Sequence, residues 1–150
     1  MSAPLPPPHL ERWALATIDH HAAGLGYAAV PDGRPQAGGW RRLYVREGAA
    51  PLLSAVGASD SPWFSLGIEI PVLRSRIEPR LADLLAELAP YEVAVDADAG
   101  ADDASPDAVL RVALRLFLEG LTGGVLRDAV DNVAAAAAAA RRALGMSAVA

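Results

Sequence analysis

The chain has 150 residues, 53% of them hydrophobic, 21% charged and 5% aromatic, with 18 acidic against 13 basic side chains and a formal charge of -5. This composition suits one compact domain rather than a wholly disordered chain, and the lack of cysteine excludes disulfides, thiol nucleophiles and thiolate metal sites. Charges interrupt every apolar run before the ~18 residues that a membrane helix needs, and MSAPLPPPHLER lacks the basic-then-apolar order of a secretory signal, so a cytoplasmic protein is expected.

Residues 1–8, with four prolines between Pro4 and Pro8, read as a disordered tail, because proline cannot join a helix interior or a central strand. A single α+β domain is expected over residues 9–145, followed by a short tail at 146–150. Leu10, Trp13, Ala14, Ile18 and Ala22 recur at helical spacing from His9 onwards, and Gly24 and Gly26 stop that helix. Tyr27 to Val30 is a short strand. In WRRLYVR, Trp40 to Arg46, the period of two predicts a half-buried strand with Leu43 and Val45 inward and Arg42, Tyr44 and Arg46 outward. Pro51 to Val56 and Trp63 to Leu73 are further strands, and Gly67 and Pro71 place the latter at a sheet edge or end it near Ile70.

Ile77, Leu81, Leu84, Leu85 and Leu88 form a leucine stripe on a middle helix, with Pro79 in its first turn, Glu78 as its cap and Pro90 after its end. Tyr91 to Ala97 is a strand with Tyr91, Val93 and Val95 inward, and the acidic stretch from Asp96 to Asp107 is a solvated loop. Val109 to Glu119 fits a strand by alternation and a helix by its Arg111–Arg115–Glu119 stripe, and pattern alone leaves both open. Leu126, Val130, Val133, Ala137, Ala140 and Leu144 make an a/d seam on a long final helix. Leu121 staples its start, arginines 141 and 142 suit its end, and Gly145 stops it.

Catalytic chemistry has little to stand on. His20 and His21 are adjacent and point about 100° apart on a helix, an arrangement poor for ligating one metal. Neither a Gly-x-Gly-x-x-Gly nor a P-loop pattern occurs. No catalytic residue, metal site or cofactor is expected. Trp40, Arg42, Tyr44, Arg46, Trp63 and Phe64 have instead the composition of a protein-binding hot spot and are the candidate partner-binding residues. Val130, Val133, Ala137 and Ala140, within a helix holding seven consecutive alanines from Ala134 to Ala140, are the candidate face for a dimer or partner helix. An alternative is a nucleic-acid-associated module using Arg34, Arg41, Arg42 and Arg46 with Trp40. Direct nucleic-acid binding is disfavoured by the net acidic charge.

The second half of the chain carries a resemblance. LADLLAELAP leads into YEVAVDA, then a loop, a strand ending in FLEGLTGG, and a helix opening with VLRDAVDNV. This order resembles the YbjN-like proteins and the type III secretion chaperones that share their fold, most strongly over residues 75–145. The resemblance implies a twisted antiparallel sheet packed by an N-terminal, a middle and a long C-terminal helix, and it favours the strand for Val109 to Glu119. It also implies a homodimeric, non-enzymatic adaptor or chaperone-like protein that binds a segment of another protein.

Overall fold

A computed structural model describes residues 7–30, 39–46, 53–58, 61–97 and 108–146. Its elements run α1 (Pro7–Gly24), β1 (Tyr27–Val30), β2 (Gly39–Arg46), β3 (Leu53–Ala58), β4 (Trp63–Val72), α2 (Arg74–Ile77), a 3-10 turn (Glu78–Arg80), α3 (Leu81–Glu87), β5 (Glu92–Ala97), β6 (Ala108–Phe117) and α4 (Gly123–Ala143). The six strands form one antiparallel sheet in the order β1-β2-β3-β4-β6-β5. The α+β architecture expected from the sequence is the architecture observed, and Ala108–Phe117 is a strand. Residues 1–6 and 147–150 of the expected tails, Arg34 and the 98–107 loop lie outside the described residues.

Three boundaries differ from expectation, each for a local reason. Helix α1 begins at Pro7 rather than His9, since a proline in a first turn lacks only an N–H that the helix would leave unbonded. The middle helix is split. Its first turn is α2, capped by the Leu73 backbone without a side-chain bond, and Pro79 sits in the 3-10 turn that follows, so Glu78 does not cap it. Strand β4 is central, flanked by β3 and β6. Its pairing with β3 ends at Ile68 while its pairing with β6 continues to Val72. Pro71 thus occupies the stretch with one paired neighbour, where a missing N–H is tolerated.

The register sorts side chains onto two faces. Tyr44, Leu53, Ile68, Val112 and Val93 lie in one cross-strand row, and Ile70, Leu110 and Val95 in the next. This face packs under α1 and α4, whose Ile18, Leu126, Val133, Ala137 and Ala140 are buried with it in a single core. Helix α4 fits closely because alanine allows its backbone to approach the sheet, and its start is fixed by the Thr122 side chain, which accepts from the Val125 N–H at 3.1 Å. Buried Leu121 precedes that cap at the staple position.

Candidate functional site

The alternation of β2 is as predicted, but its polarity is reversed. Trp40, Arg42 and Tyr44 point to the helix-covered face, and Leu43 and Val45 point away, with Val45 exposed. Trp40, Tyr44 and Phe64 are each less than 5% exposed, so the structure takes these three out of the candidate partner-binding surface. The reason is packing. Trp40 lies opposite Gly57 and its indole fills the space a side chain there would take: a Cβ at position 57 would stand 2.5 Å from the Trp40 Cε2. The indole then reaches Phe64 on the next strand, with ring centroids 6.1 Å apart.

Arg42 is held on this face by Asp19 of α1. Its Nη2 donates to Oδ2 at 2.6 Å and its Nε to Oδ1 at 3.2 Å, while the Tyr44 hydroxyl donates to Oδ1 at 2.6 Å. Burial alone would raise the Asp19 carboxyl. The hydrogen bonds from Arg42 and Tyr44, with the guanidinium charge, hold it below its ordinary value. The hydrogen bond to Asp19 raises Arg42, and burial beside the carboxylate raises Tyr44. A lowered carboxyl contributes stability in full above its unfolded value, 3.8, and loses it as pH falls through the folded one. Asp19→Asn is therefore expected to cost about 1–2 kcal/mol near neutrality and to flatten the acid limb below pH 4, measured by urea unfolding across a pH series. An unchanged acid limb would contradict this role.

The second candidate face is also accounted for by the fold. Val130, Val133, Ala137 and Ala140 are all buried, with Val133 and Ala140 fully so, because α4 lays this seam on β4 and β6. The expected dimer or partner surface on the helix is thus occupied by the chain's own sheet. The residues of the alternative nucleic-acid patch are dispersed in the same way. Trp40 is core, Arg42 is bonded to Asp19, and Arg41 points to the opposite face, where its side chain is 6% exposed and its Nη2 lies 2.5 Å from Glu69 Oε2.

That opposite face, on which α1 and α4 do not lie, has a buried polar centre. Arg111 of β6 reaches across β4. Its Nε and Nη1 donate to the hydroxyls of Ser54 and Ser65 at 2.7 Å each, and its Nη2 to their carbonyl oxygens at 2.9 Å each. Gly67 lies beneath this bridge: a Cβ there would stand 2.8 Å from the Ala113 Cβ and 3.1 Å from the Arg111 Cζ. Ser54 is completely buried and Glu69 nearly so.

At one end of the same face the side chains become accessible. Trp63 stands directly opposite Phe117, with ring centroids 4.6 Å apart, and is 47% exposed. Its backbone is held in place, since its N–H donates to Ser61 Oγ at 3.2 Å and the Leu118 N–H donates to the Pro62 carbonyl at 2.9 Å. A cleft of about 400 Å³ opens beside it, lined in part by Gly39, Val56, Ala58, Glu92 and Arg115. Arg115 and Glu92 face each other at 3.4 Å and are half-exposed, a pair that contributes little to stability and remains available to a ligand. Sequence reasoning singled out Trp63 but missed Phe117 and Arg115. The signal was the alternation of β6, which sets Arg111, Arg115 and Phe117 on one side once that segment is a strand.

No family model and no curated protein matches this chain. Among solved structures it is similar to an uncharacterized protein from Methanothermobacter thermautotrophicus, with a TM-score of 0.58 at 14% identity, covering 88% of this chain and 96% of that one. This likeness concerns the fold. No described helix is long and apolar enough to cross a membrane.

Proposed function

We propose that this protein is a non-enzymatic, cytoplasmic adaptor or chaperone-like protein that binds a segment of another protein at the Trp63 end of the sheet. The observation that carries the reading is Trp63 itself. A large aromatic side chain stands half in solvent on a paired strand, packed at a tilt against a second ring and bordering a cleft with one cation and one anion. Aromatic and arginine side chains on a preformed surface are the usual anchors of protein recognition, because they bury much area at little entropic cost. The buried charged groups described above are engaged in holding strands and helices together, which supports a binding rather than a catalytic role. The resemblance of the sequence to YbjN-like proteins and secretion chaperones belongs to the same proposal.

Affinity capture of the tagged chain followed by mass spectrometry tests it. Trp63→Ala with Phe117→Ala is expected to lose the captured partner while retaining the wild-type far-UV spectrum and lowering stability by no more than about 2 kcal/mol, since Trp63 is exposed and Phe117 only partly buried. Retention of every partner by the folded variant would remove the assignment. Homodimerisation is part of the proposal, and exposed Leu73 and Leu85 offer apolar surface for it. Equilibrium sedimentation is expected to return twice the 15.5 kDa chain mass.

A further inference from the structure

A second cleft, of about 400 Å³, lies at the other end of β2 and is independent of the Trp63 surface. It forms where the α1–β1 turn brings the end of α1 beside the last residue of β2 and the first half of α4. Gly26 makes that turn possible with a φ of +87°, a left-handed conformation that side chains resist. Arg46 runs alongside this turn, its Cδ and Cγ at ordinary contact distance, 3.5 and 3.7 Å, from where a Cβ of residue 26 would stand. The β1–β2 pairing sets Arg46 directly opposite Tyr27, and its guanidinium carbon lies 4.9 Å from the ring centroid.

Arg127 of α4 lines the same cleft. Arg42 is paired with Asp19, Arg41 with Glu69 and Arg115 with Glu92. Arg46 and Arg127 carry no ion pair among the described residues, although both are exposed and border one concavity. With two guanidinium groups against the one carboxylate of Asp131, the lining carries an excess of one positive charge, which favours an anion in the cleft. A guanidinium offers its donors as a planar fork that fits the paired oxygens of phosphate or carboxylate. Leu25 and Val130 supply apolar wall for the carbon part of such a ligand, and Asp131 is the carboxylate among the lining residues.

We infer that this cleft binds the oxyanion of a small organic phosphate or carboxylate between Arg46 and Arg127. Calorimetric titration of the full chain at low ionic strength tests this, with glycerol 3-phosphate as the phosphate probe and succinate as the carboxylate probe. Saturable one-site binding of at least one probe is expected, and the probe preferred identifies the source of the oxyanion. Arg127→Gln and Arg46→Gln are each expected to weaken it by about tenfold or more, and Asp131→Asn to tighten it several-fold by removing a like charge. Arg127 is on the outer surface of α4, so its replacement leaves the fold intact, and Arg46→Lys retains the charge at the other position without the fork. If neither probe saturates, or if Arg127→Gln or Arg46→Gln retains wild-type affinity, the inference is overturned.

Discussion

Glu69→Ala is expected to destabilise the protein by about 3–5 kcal/mol, the range for removing one member of a buried ion pair. The Glu69 side chain is 5% exposed and lies against a guanidinium whose side chain is itself almost wholly covered. Taking away the acid leaves a positive charge in a poorly solvated place without the group that offsets its desolvation. Replacing both Arg41 and Glu69 by methionine should cost less than the single change, because the desolvation penalty is removed together with the attraction. Urea unfolding of the single and double variants separates these effects. A loss of under about 1 kcal/mol for Glu69→Ala would show that the pair is solvated in solution.

The second large effect is expected at Arg111. Arg111→Met should cost about 3–4 kcal/mol, since it removes four hydrogen bonds and leaves the buried Ser54 hydroxyl and the Ser54 and Ser65 carbonyls without that donor. Gly67→Ala, which crowds the same guanidinium and the neighbouring backbone oxygen of Val112, should cost about 2–3 kcal/mol. The two act through one arrangement of atoms, so the double variant is expected to lose clearly less than the sum. Additive losses would mean that Gly67 matters for the Ala113 and Val112 contacts and not for the guanidinium.

Both effects arise from a feature that alternation could not reveal. A period of two divides a strand into two sets of side chains but does not say which set meets the helices. In WRRLYVR the apolar pair Leu43 and Val45 suggests an inward face, yet Trp40 and Tyr44 carry more apolar area, and it is they that α1 and its neighbours cover. The sequence held two clues. Asp19 falls beside Ile18 and Ala22 on the apolar side of α1, where an acid needs a basic partner, and Gly57 leaves a gap that only a large ring fills. The central strands are also buried on both faces, so Arg41, Glu69 and Arg111 are structural, where a sheet covered on one face alone would leave them solvated. Strands β1, β2 and β5, the seam of α4 and the Leu121 staple at its start were legible because each depends on local periodicity or local packing. The identity of Val109 to Glu119 was not, since Arg111 and Arg115 are spaced alike for one face of a strand and one stripe of a helix.

The same ambiguity governs the candidate site. Trp63 could be named from composition, but its neighbour Phe117 is 54 positions away in the chain and is brought opposite it only by the β4–β6 register. The arginines that form one patch in the sequence of β2 alternate between two faces of the sheet. Each serves a different contact, Arg41 with Glu69, Arg42 with Asp19 and Arg46 over Tyr27.

Site-specific photocrosslinking in the producing cell is the most direct examination of the proposed binding surface. A photoreactive phenylalanine analogue would be placed at Phe117 in one chain and at exposed Val125 on α4 in another. The proposal predicts a discrete protein adduct from position 117, lost when Trp63 is also changed to alanine, and none from position 125. Adducts of equal yield from both positions, or none from position 117, would contradict it.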